Sequence, residues 1–485
     1  MTIIKKTLLT GVACAALTFG MTGVSRADSD ADVTARINAL EQQLQSLKSQ
    51  VNARDSKIQD LENRTADLDT LPKFTPGKLE ITSRDGQFTL GVFGRLQVDG
   101  YIVDADGVKN VSGLPNLQEG NGMNIRRARL GAGGKLFGVW KYKFEVDFAG
   151  NATSITDAYV QTGLFTNTTL TVGNQYEPYG LNNQTSDNNN LFMEYSLPVI
   201  FWPGRSLGGQ VTYADTKNFG ISGGFFTNGI RNGGKYGNNG STVVPGNTNW
   251  ATTARAWYAP IADAKNAKVV HFGFSGRYRG IEDGSFSGYS PVPELNEASA
   301  LVATGAYNYG SGKTLVNATS STTFGPEFAA VWGPFNFDAE YTWDSVARSN
   351  GGSDVNQSGG YAEASWFVTG NAFRFYDVKK GLFDRPKNAF NALQLVARYS
   401  YIDLSDQTGN TNTVQWLRGT ESNYTIGANY YFNPNIRLMF NYIYADPSYD
   451  TAVTSSSNSA AVNATNATSR PGNYQIFGTR LQIDW

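Results

Sequence analysis

The sequence predicts a transmembrane antiparallel β-barrel preceded by an α-helical coiled coil. Three observations carry this prediction. Many segments alternate apolar or aromatic residues with charged residues, tight turns alternate with long loops, and the chain ends in an alternating segment closed by an aromatic residue. Of the 485 residues, 13% are aromatic and only 17% are charged. A soluble protein of this size usually carries more charge and fewer aromatic residues.

The N-terminus has the pattern of a secretory signal peptide. Lys5 and Lys6 precede the apolar stretch TLLTGVACAALTFG, and small residues mark a cleavage site after Ala27. We therefore expect residues 1–27 to be removed. The chain's one cysteine, Cys14, lies inside this segment; a lipoprotein cysteine is the alternative, but GVAC lacks the usual leucine. Without Cys14 the mature chain needs no disulfide in an oxidising periplasm.

A heptad repeat fills most of the segment 28–70 and predicts a coiled coil. Position a is occupied by Ile37, Leu44, Val51, Ile58 and Thr65, and position d by Val33, Leu40, Leu47, Arg54, Leu61 and Leu68. A single amphipathic helix packed on a domain is the alternative, and the polar outer faces argue against it. By themselves, β-branched residues at a with leucine at d favour dimers. Two prolines in LPKFTPGK end the helix and open a linker over 71–87.

Residues 88–485 change to a period of two, which is typical of strands. In FTLGVFGRLQVDGYI, Leu90, Val92 and Leu96 share one face, and Arg95 and Asp99 share the other. The segments WKYKFEVDF, VHFGFSGRYR, IRLMFNYIY and TRLQIDW alternate in the same way. An apolar, aromatic face opposite a charged face fits a barrel with lipid outside and water inside, although a soluble sandwich would show the same period.

Loop lengths favour the barrel over the sandwich. Tight connections at 259–268, 332–335 and 432–435 alternate with long loops rich in Gly, Asn and Ser. The long loops are predicted at 104–122, 226–249, 280–300, 347–359, 405–422 and 446–473. Outer-membrane barrels have short periplasmic turns and long external loops. The terminal LQIDW is then the strand that closes the barrel.

Composition also narrows the function classes. The formal net charge is −1, so bulk charge predicts no nucleic-acid partner. The chain has one histidine, His271, and no cysteine after the signal peptide, which argues against zinc sites and against Cys–His or Ser–His–Asp catalysis. We expect no enzyme activity, no metal and no cofactor, with His271 an ordinary interfacial or turn residue. An outer-membrane hydrolase built on His271 is the alternative.

Several stretches resemble the phosphate-selective porin O and P family of bacterial outer membranes. They are GRLQVDGY, IRRARLGAGGKLFGVWKYKFEVDFA, VGNQYEPYGLNNQTSDNNNLFMEYSLP, PGRSLG, SWFVTGNAFRFY, LVARYSYIDL and NYTIGANYYFNPNIRLMFNYIYAD, in this order across 88–485. The resemblance implies a homotrimer of barrels with about 16 strands each, often with a periplasmic coiled coil. It also implies a pore that binds anions through inward Arg and Lys and is narrowed by an inward third loop, here around 176–206.

Strand alternation gives candidates for these inward cations. Charged faces carry Arg95, Arg127, Arg129, Lys141, Lys143, Arg277 and Arg279, which offer charge-assisted hydrogen bonds to an anion. Arg277 and Arg279, two residues apart, resemble part of the family's arginine ladder. The resemblance assigns Tyr176, Glu177, Asn188, Glu194 and Tyr195 to the constriction loop. Lumenal acids such as Asp99, Glu145 and Asp147 could pair with these cations.

Two departures from the family pattern bear on selectivity. The third-loop motif commonly has lysine before Glu-Pro, where this chain has Tyr176, and arginine after Met-Glu, where it has Tyr195. We expect an outer-membrane porin in contact with lipid that passes small hydrophilic solutes and prefers anions such as phosphate or polyphosphate. Aromatic and amide linings also suit sugars or other neutral solutes, so a general or neutral-solute porin is one alternative. A structural barrel that tethers the envelope is another.

Overall fold

The computed structural model describes most of the chain. It covers residues 30–68, 72–74, 79–105, 120–150, 153–215, 217–227, 249–282, 285–286, 288–304, 306–308, 312–316, 318–349, 353–406, 419–449 and 473–485. The predicted signal peptide 1–27 and parts of the predicted long loops lie outside these residues. The chain divides into two compact units, 1–71 and 72–485, which are described separately.

Within the first unit, the described residues form one long helix, α1, over Asp30–Leu68. Its 39 residues extend about 58 Å at 1.5 Å per residue. Asp30 and Asp32 lie in the first turn, where negative charge complements the helix dipole. The predicted helix is confirmed, and the apolar side chains at its a and d positions from Val33 to Leu61 are exposed in the single chain. Among the helices that the structure describes, none is long and apolar enough to cross a membrane.

The second unit is a closed antiparallel β-barrel. Its sheet has 18 strands, of which two are the short strands Lys73–Phe74 and Glu80–Thr82, so 16 remain to form the barrel. These are β1 Thr89–Asp104, β2 Gly120–Leu136, β3 Trp140–Asp147, β4 Ser154–Phe165, β5 Thr168–Tyr176, β6 Arg205–Ala214, β7 Phe219–Thr227, β8 Trp250–Asp263, β9 Lys268–Gly280, β10 Ala318–Trp332, β11 Phe335–Arg348, β12 Val355–Phe367, β13 Ala392–Asp403, β14 Gly419–Asn433, β15 Ile436–Tyr449 and β16 Tyr474–Asp484. The predicted barrel class and strand number are confirmed.

Closure depends on the terminal strand, as the sequence predicts. β16 pairs with β1 in a register that runs from Gln475 opposite Asp104 to Asp484 opposite Arg95. Trp485 continues the ladder, because its N–H donates to the Gly94 carbonyl at 3.1 Å and its carbonyl accepts from the Gly94 N–H at 3.3 Å. A sheet closed in this way has no exposed edge.

The two faces of each strand follow the predicted alternation. On β9, Phe272 and Phe274 are exposed on the outside, while His271 and Ser275 are buried inside. Stacked aromatic pairs lie on the outer face near both ends, for example Phe335–Trp366, whose ring centroids are 5.9 Å apart. An apolar outer band with aromatic residues at its edges fits a lipid environment.

Smaller elements lie before the first barrel strand and in the connections between the strands. Within the predicted linker, Glu80–Thr82 pairs with β1. The β5–β6 connection contains helix α2 (Leu181–Gln184) and a 3₁₀ turn at Leu197–Phe201, and a second 3₁₀ turn lies at Ala264–Asn266. The β9–β10 connection contains the short strands Ser285–Phe286, Ala306–Asn308 and Gly312–Val316. Between β12 and β13, Phe373–Asp377 and Leu382–Lys387 form an antiparallel pair, called the inner hairpin below.

We expect Gly94→Ala to impair assembly of the folded barrel. A Cβ at Gly94 would lie 2.3 Å from the Trp485 ring and 2.8 Å from the Arg129 carbonyl, so the closing strand or its neighbour must shift. Gly91→Ala is the matched control, since its Cβ meets its nearest atom at 3.4 Å. The measurement is the fraction of heat-modifiable, folded protein on unboiled gels as temperature rises. Equal midpoints for the two variants would contradict this expectation.

Candidate functional site

The connection between β5 and β6, residues 177–204, crosses the interior of the barrel and is called the third loop. The N–H groups of Leu181 and Asn182 donate to Glu340 of β11 at 2.9 and 2.7 Å. Farther along, the Leu197 N–H donates to the Ser400 hydroxyl of β13 at 3.0 Å. Inward side chains of the barrel wall thus bind the backbone of the loop and help to fix its course.

The asparagine-rich middle of the third loop is held by three polar side chains from β14, β15 and β16. Asn429 donates to the Leu191 carbonyl at 2.9 Å, Arg437 to the Asn190 carbonyl at 2.8 Å, and Gln482 to the Asn188 carbonyl at 3.1 Å. Three buried apolar side chains follow in the sequence, Leu191, Phe192 and Met193. The loop therefore presses against this side of the barrel.

Asp187 of the third loop gathers three of the predicted anion-binding arginines. Its carboxylate lies 2.7 Å from the Arg127 Nε and 3.5 Å from Arg129 Nη1, and it forms an ion pair with Arg95. Arg129 also pairs with Asp147 of β3 at 2.7 Å. The three arginines predicted from alternation are thus brought together, and acids neutralise much of their charge.

Glu194, a predicted constriction-loop residue, has its own group of arginines. It accepts hydrogen bonds from Arg126 at 2.8 and 3.0 Å and from Arg480 at 2.7 Å, and it lies 3.6 Å from Arg127. Burial alone would raise the pKa of Glu194, but Arg127, Arg126 and Arg480 outweigh burial and hold that pKa well below its ordinary value. Glu194 is therefore an anion that anchors the loop.

The two predicted lysines occupy different surroundings. Lys143 contacts Asp157 of β4 at 2.5 Å and Glu145 at 3.6 Å. Lys141 lies two residues closer to the tight turn and is exposed. Of the pair, Lys143 belongs to the carboxylate-rich interior, whereas Lys141 lies near the short-turn end.

Arg277 and Arg279 line a cavity of about 370 Å³ at the long-loop end of β6–β10, called the outer cavity. Arg277 donates twice to Glu177 of the third loop, at 2.8 and 3.1 Å. The Arg279 guanidinium carbon lies 5.7 Å from the centre of the Phe286 ring. The two arginines share one side of the barrel, as the alternation predicts.

Arg205, the first residue of β6, also lines the outer cavity and was not among the predicted site residues. It is paired in register with Tyr176, and its guanidinium lies 4.1 Å from the centre of the Tyr176 ring. Arg205 donates to Asp157 at 2.7 Å and to the Tyr176 hydroxyl at 3.1 Å. The side chain of Tyr176 thus lies directly against a cation.

A second cavity, of about 230 Å³, has Arg205 in common with the outer cavity. We call it the inner cavity; Arg95, Lys143, Tyr176 and Asp187 also line it. The other predicted aromatic of the constriction loop, Tyr195, packs instead against the apolar cluster that contains Leu197 and Phe201.

The inner hairpin packs inside the barrel at the short-turn end. Arg374 pairs with Asp338 of β11 at 2.6 Å, and Arg255 of β8 donates to the Gly381 carbonyl at 2.7 Å. The Tyr376 hydroxyl is hydrogen-bonded to His271. The expectation that His271 is an interfacial or turn residue is wrong, because the side chain is fully buried inside the barrel between the inner hairpin and Glu327.

The β9–β10 connection enters from the opposite end. Glu294 in this loop pairs with Arg398 of β13 at 2.5 Å and accepts a hydrogen bond from Thr425 of β14 at 2.6 Å. Leu295 and Leu301 are buried in a cluster with Met439. Ion pairs and apolar packing therefore hold this connection against β13–β15, whereas the two cavities lie along β1–β10.

Further inward arginines were missed at the level of sequence. Arg255, Arg398, Arg437 and Arg480 lie on strands and are buried, and alternation gave a signal for some of them, since TRLQIDW places Arg480 on the same face as Gln482. Arg374 lies in the inner hairpin, whose inward fold has no local signal. Among the described residues, no group of His, Cys, Asp and Glu is arranged to hold a metal ion.

Comparisons with known proteins agree with this architecture. The model of the family described as phosphate-selective porin O and P matches residues 101–469. Porin O of Pseudomonas aeruginosa is 25% identical over 398 residues, which cover 76% of this chain and 86% of Porin O. An uncharacterized protein of Caulobacter vibrioides is 28% identical over 343 residues, which cover 68% of this chain and 64% of that protein. The match thus spans under two thirds of the Caulobacter protein.

Solved structures give more distant matches. The trimer form of OmpT from Vibrio cholerae aligns with a TM-score of 0.47 and 13% identity, over 82% of this chain and 99% of that chain. An anion-selective porin from Comamonas acidovorans aligns with a TM-score of 0.46 and 12% identity, over the same shares of the two chains.

We expect Asp187→Asn to strengthen anion preference, because Arg95, Arg127 and Arg129 would lose a shared negative charge. A unit charge 4 Å away is worth about 1 kcal/mol in bulk water, which corresponds to roughly a fivefold change in the anion-to-cation permeability ratio. The measurement is the reversal potential of single channels in a KCl gradient. Glu41→Gln, which removes one acid from helix α1, controls for net charge. A shift toward cations in Asp187→Asn would sink this expectation.

Proposed function

Because the chain belongs to the phosphate-selective porin O and P family, it is an outer-membrane porin, and we propose that its channel prefers small anions, phosphate and polyphosphate among them. One observation carries the proposal: the outer and inner cavities have a cation, Arg205, in common. Arg277 and Arg279 line the outer cavity with it, and Arg95 and Lys143 line the inner cavity with it. Basic side chains placed in series lower the barrier for anions.

The outer cavity supports an entry site for anions. Its charged lining residues are Arg205, Arg277 and Arg279. Arg205 has the carboxylate partner Asp157, and Arg277 has the carboxylate partner Glu177. A guanidinium carries five N–H groups, and a bidentate pair with one carboxylate uses two of them. The remaining N–H groups can donate to a passing anion while the carboxylate keeps the arginine in place.

The inner cavity supports transfer rather than tight binding. Arg95 and Lys143 line it together with the acids Asp157 and Asp187, so an anion there meets both attraction and repulsion. Conduction requires a site that is favourable enough to enter and weak enough to leave. Arg205 supplies a positive charge at the level where Tyr176 replaces the family's usual lysine. The replacement therefore does not remove the cation from the constriction.

A neutral-solute channel is the second candidate, and the amides of the inner cavity favour it. Gln161, Gln175, Gln184 and Gln210 line this cavity beside Tyr176. Amides both donate and accept hydrogen bonds, as sugar hydroxyl groups require, and aromatic rings offer an apolar face. Liposome swelling with uncharged sugars distinguishes the candidates: rapid swelling together with a reversal potential near zero supports the neutral-solute channel.

We expect replacement of Arg277 and Arg279 by alanine to weaken anion preference by roughly an order of magnitude, because two charges leave the outer cavity. Arg279→Ala alone should shift the reversal potential less, because only one charge is removed. This single variant also keeps the ion pair between Arg277 and Glu177 intact. The measurement is the reversal potential in a KCl gradient across a planar bilayer.

Lys265→Ala is the control for that experiment, since Lys265 lies in the tight turn Ala264–Asn266 away from both cavities. A wild-type reversal potential that indicates cation preference would overturn the anion proposal. An unchanged potential in the double variant would remove Arg277 and Arg279 from the site.

The helix supports a proposal for assembly: three copies associate, and their α1 helices pack together in the periplasm. Eight apolar side chains of the heptad, from Val33 to Leu61, are 45–64% exposed in the single chain. Burial of such side chains is favourable by about 25 cal/mol per Å², and the a and d positions of a coiled coil provide that burial. The heptad by itself favours dimers, so the trimer rests on the family resemblance.

Cysteine cross-linking tests the helix packing, since the chain's one cysteine lies in the predicted signal peptide. Leu47→Cys, at a d position, should give disulfide-linked pairs of full-length chains under mild oxidation, because d residues face one another. Ser46→Cys, one residue away on the outer face, should give few. Equal cross-linking of the two variants, measured on non-reducing gels, would contradict packing through the a and d positions.

A further inference from the structure

We propose that the outer cavity is a binding site for anions that carry a flat aromatic ring, such as small aromatic carboxylates. This inference rests on the proposed anion channel and adds a substrate class to it. A bare inorganic anion needs only cations. The outer cavity combines Arg205, Arg277 and Arg279 with a wall of aromatic rings from two different connections, Phe201 of the third loop and Phe286 and Tyr289 of the β9–β10 connection.

The three rings form one packed surface. Tyr289 lies between the other two, with ring centroids 4.8 Å from Phe201 and 5.1 Å from Phe286, both in edge-to-face geometry. All three side chains are at most 7% exposed. Edge-to-face neighbours are an arrangement that aromatic rings favour, so the wall is already built without a ligand.

The polar groups of this wall point away from the cavity. The Tyr289 hydroxyl donates to Asp344 of β11 at 2.9 Å, and the indole N–H of the neighbouring Trp202 donates to the Thr342 hydroxyl at 3.0 Å. Both side chains line the cavity. With their polar atoms bound to the barrel wall, they offer the cavity mainly carbon surface, which a fully hydrated ion such as phosphate cannot use.

A cation and an aromatic ring lie close together in the outer cavity. The Arg279 guanidinium carbon lies 5.7 Å from the Phe286 ring centre, within the range of a cation–π contact. An aromatic carboxylate could place its carboxylate on the arginines and its ring against the aromatic wall. The volume of about 370 Å³ falls in the range of roughly 300–1,000 Å³ typical of small-molecule sites.

Blockade of chloride current by carboxylates tests the proposal. Benzoate, acetate and cyclohexanecarboxylate are added to full-length protein in planar bilayers, and the half-blocking concentration of each is measured. All three are anions at pH 7, so charge is constant. We expect benzoate to block at a concentration roughly three- to tenfold lower than either of the others, because only benzoate has a flat aromatic ring.

Variants of one residue connect the block to the cavity. Phe286→Leu should bring the benzoate and acetate values together, and Phe286→Tyr, which keeps the ring, should retain the difference. The matched control is Phe274→Leu, since Phe274 lies on the outer face of β9; this variant should behave as wild type. Folded protein is selected for every variant by heat modifiability on gels before the recordings.

The outcomes separate this inference from the proposed function. Equal block by benzoate and acetate, in a channel whose KCl reversal potential shows anion preference, overturns the aromatic site and leaves the anion channel intact. Equal block by benzoate and cyclohexanecarboxylate overturns the preference for a flat ring. Loss of the benzoate effect in Phe274→Leu but not in Phe286→Leu would place any site outside the cavity. A cation-selective wild type overturns the anion channel itself.

Discussion

The ion pairs of Arg480 are the interaction on which the interior most depends. The guanidinium donates to Asp99 of the first strand at 2.6 Å through two nitrogens and to Glu194 of the third loop at 2.7 Å. It also donates to the Met193 carbonyl. The Arg480 side chain thus connects the closing strand pair with the third loop. Breaking a buried pair of this kind by removing one partner typically costs about 3–5 kcal/mol, because a charge is left buried without its partner.

Other arginines of the barrel wall hold inserted segments in the same way. Wall arginines bind the carbonyl groups and carboxylates of inserted segments, as Arg437 does with Asn190, Arg255 with Gly381 and Arg398 with Glu294. A carbonyl buried without a donor is costly, and these arginines supply donors to carbonyl groups of the inserted segments. Inward arginines therefore serve two purposes here: they satisfy the inserted backbone, and along β6–β9 they line the open space.

The period-two pattern predicted the fold well, because alternation is a local property of each strand. It placed Arg95 and Arg277 on the inner face and identified TRLQIDW as the closing strand. It could not predict the partners of those residues, since Asp187 is 92 residues from Arg95 and Glu177 is 100 residues from Arg277. Arg205 begins a strand directly after the third loop, where alternation has no preceding residue to fix its side. The inward fold of the inner hairpin likewise depends on contacts with residues far away in the sequence, such as that of Arg255 with Gly381.

The inward arginines can still attract an anionic solute although they are paired with acids. In the outer cavity, the acids Glu177 and Asp157 are not among the lining residues, whereas Arg205, Arg277 and Arg279 are. A solute in the cavity is therefore nearer to the cation of each pair than to the anion, and the interaction falls with distance as 1/r. The formal charge of −1 is thus compatible with a positive potential along one side of the interior. In the proposed anion channel, selectivity follows from which member of each pair faces the water.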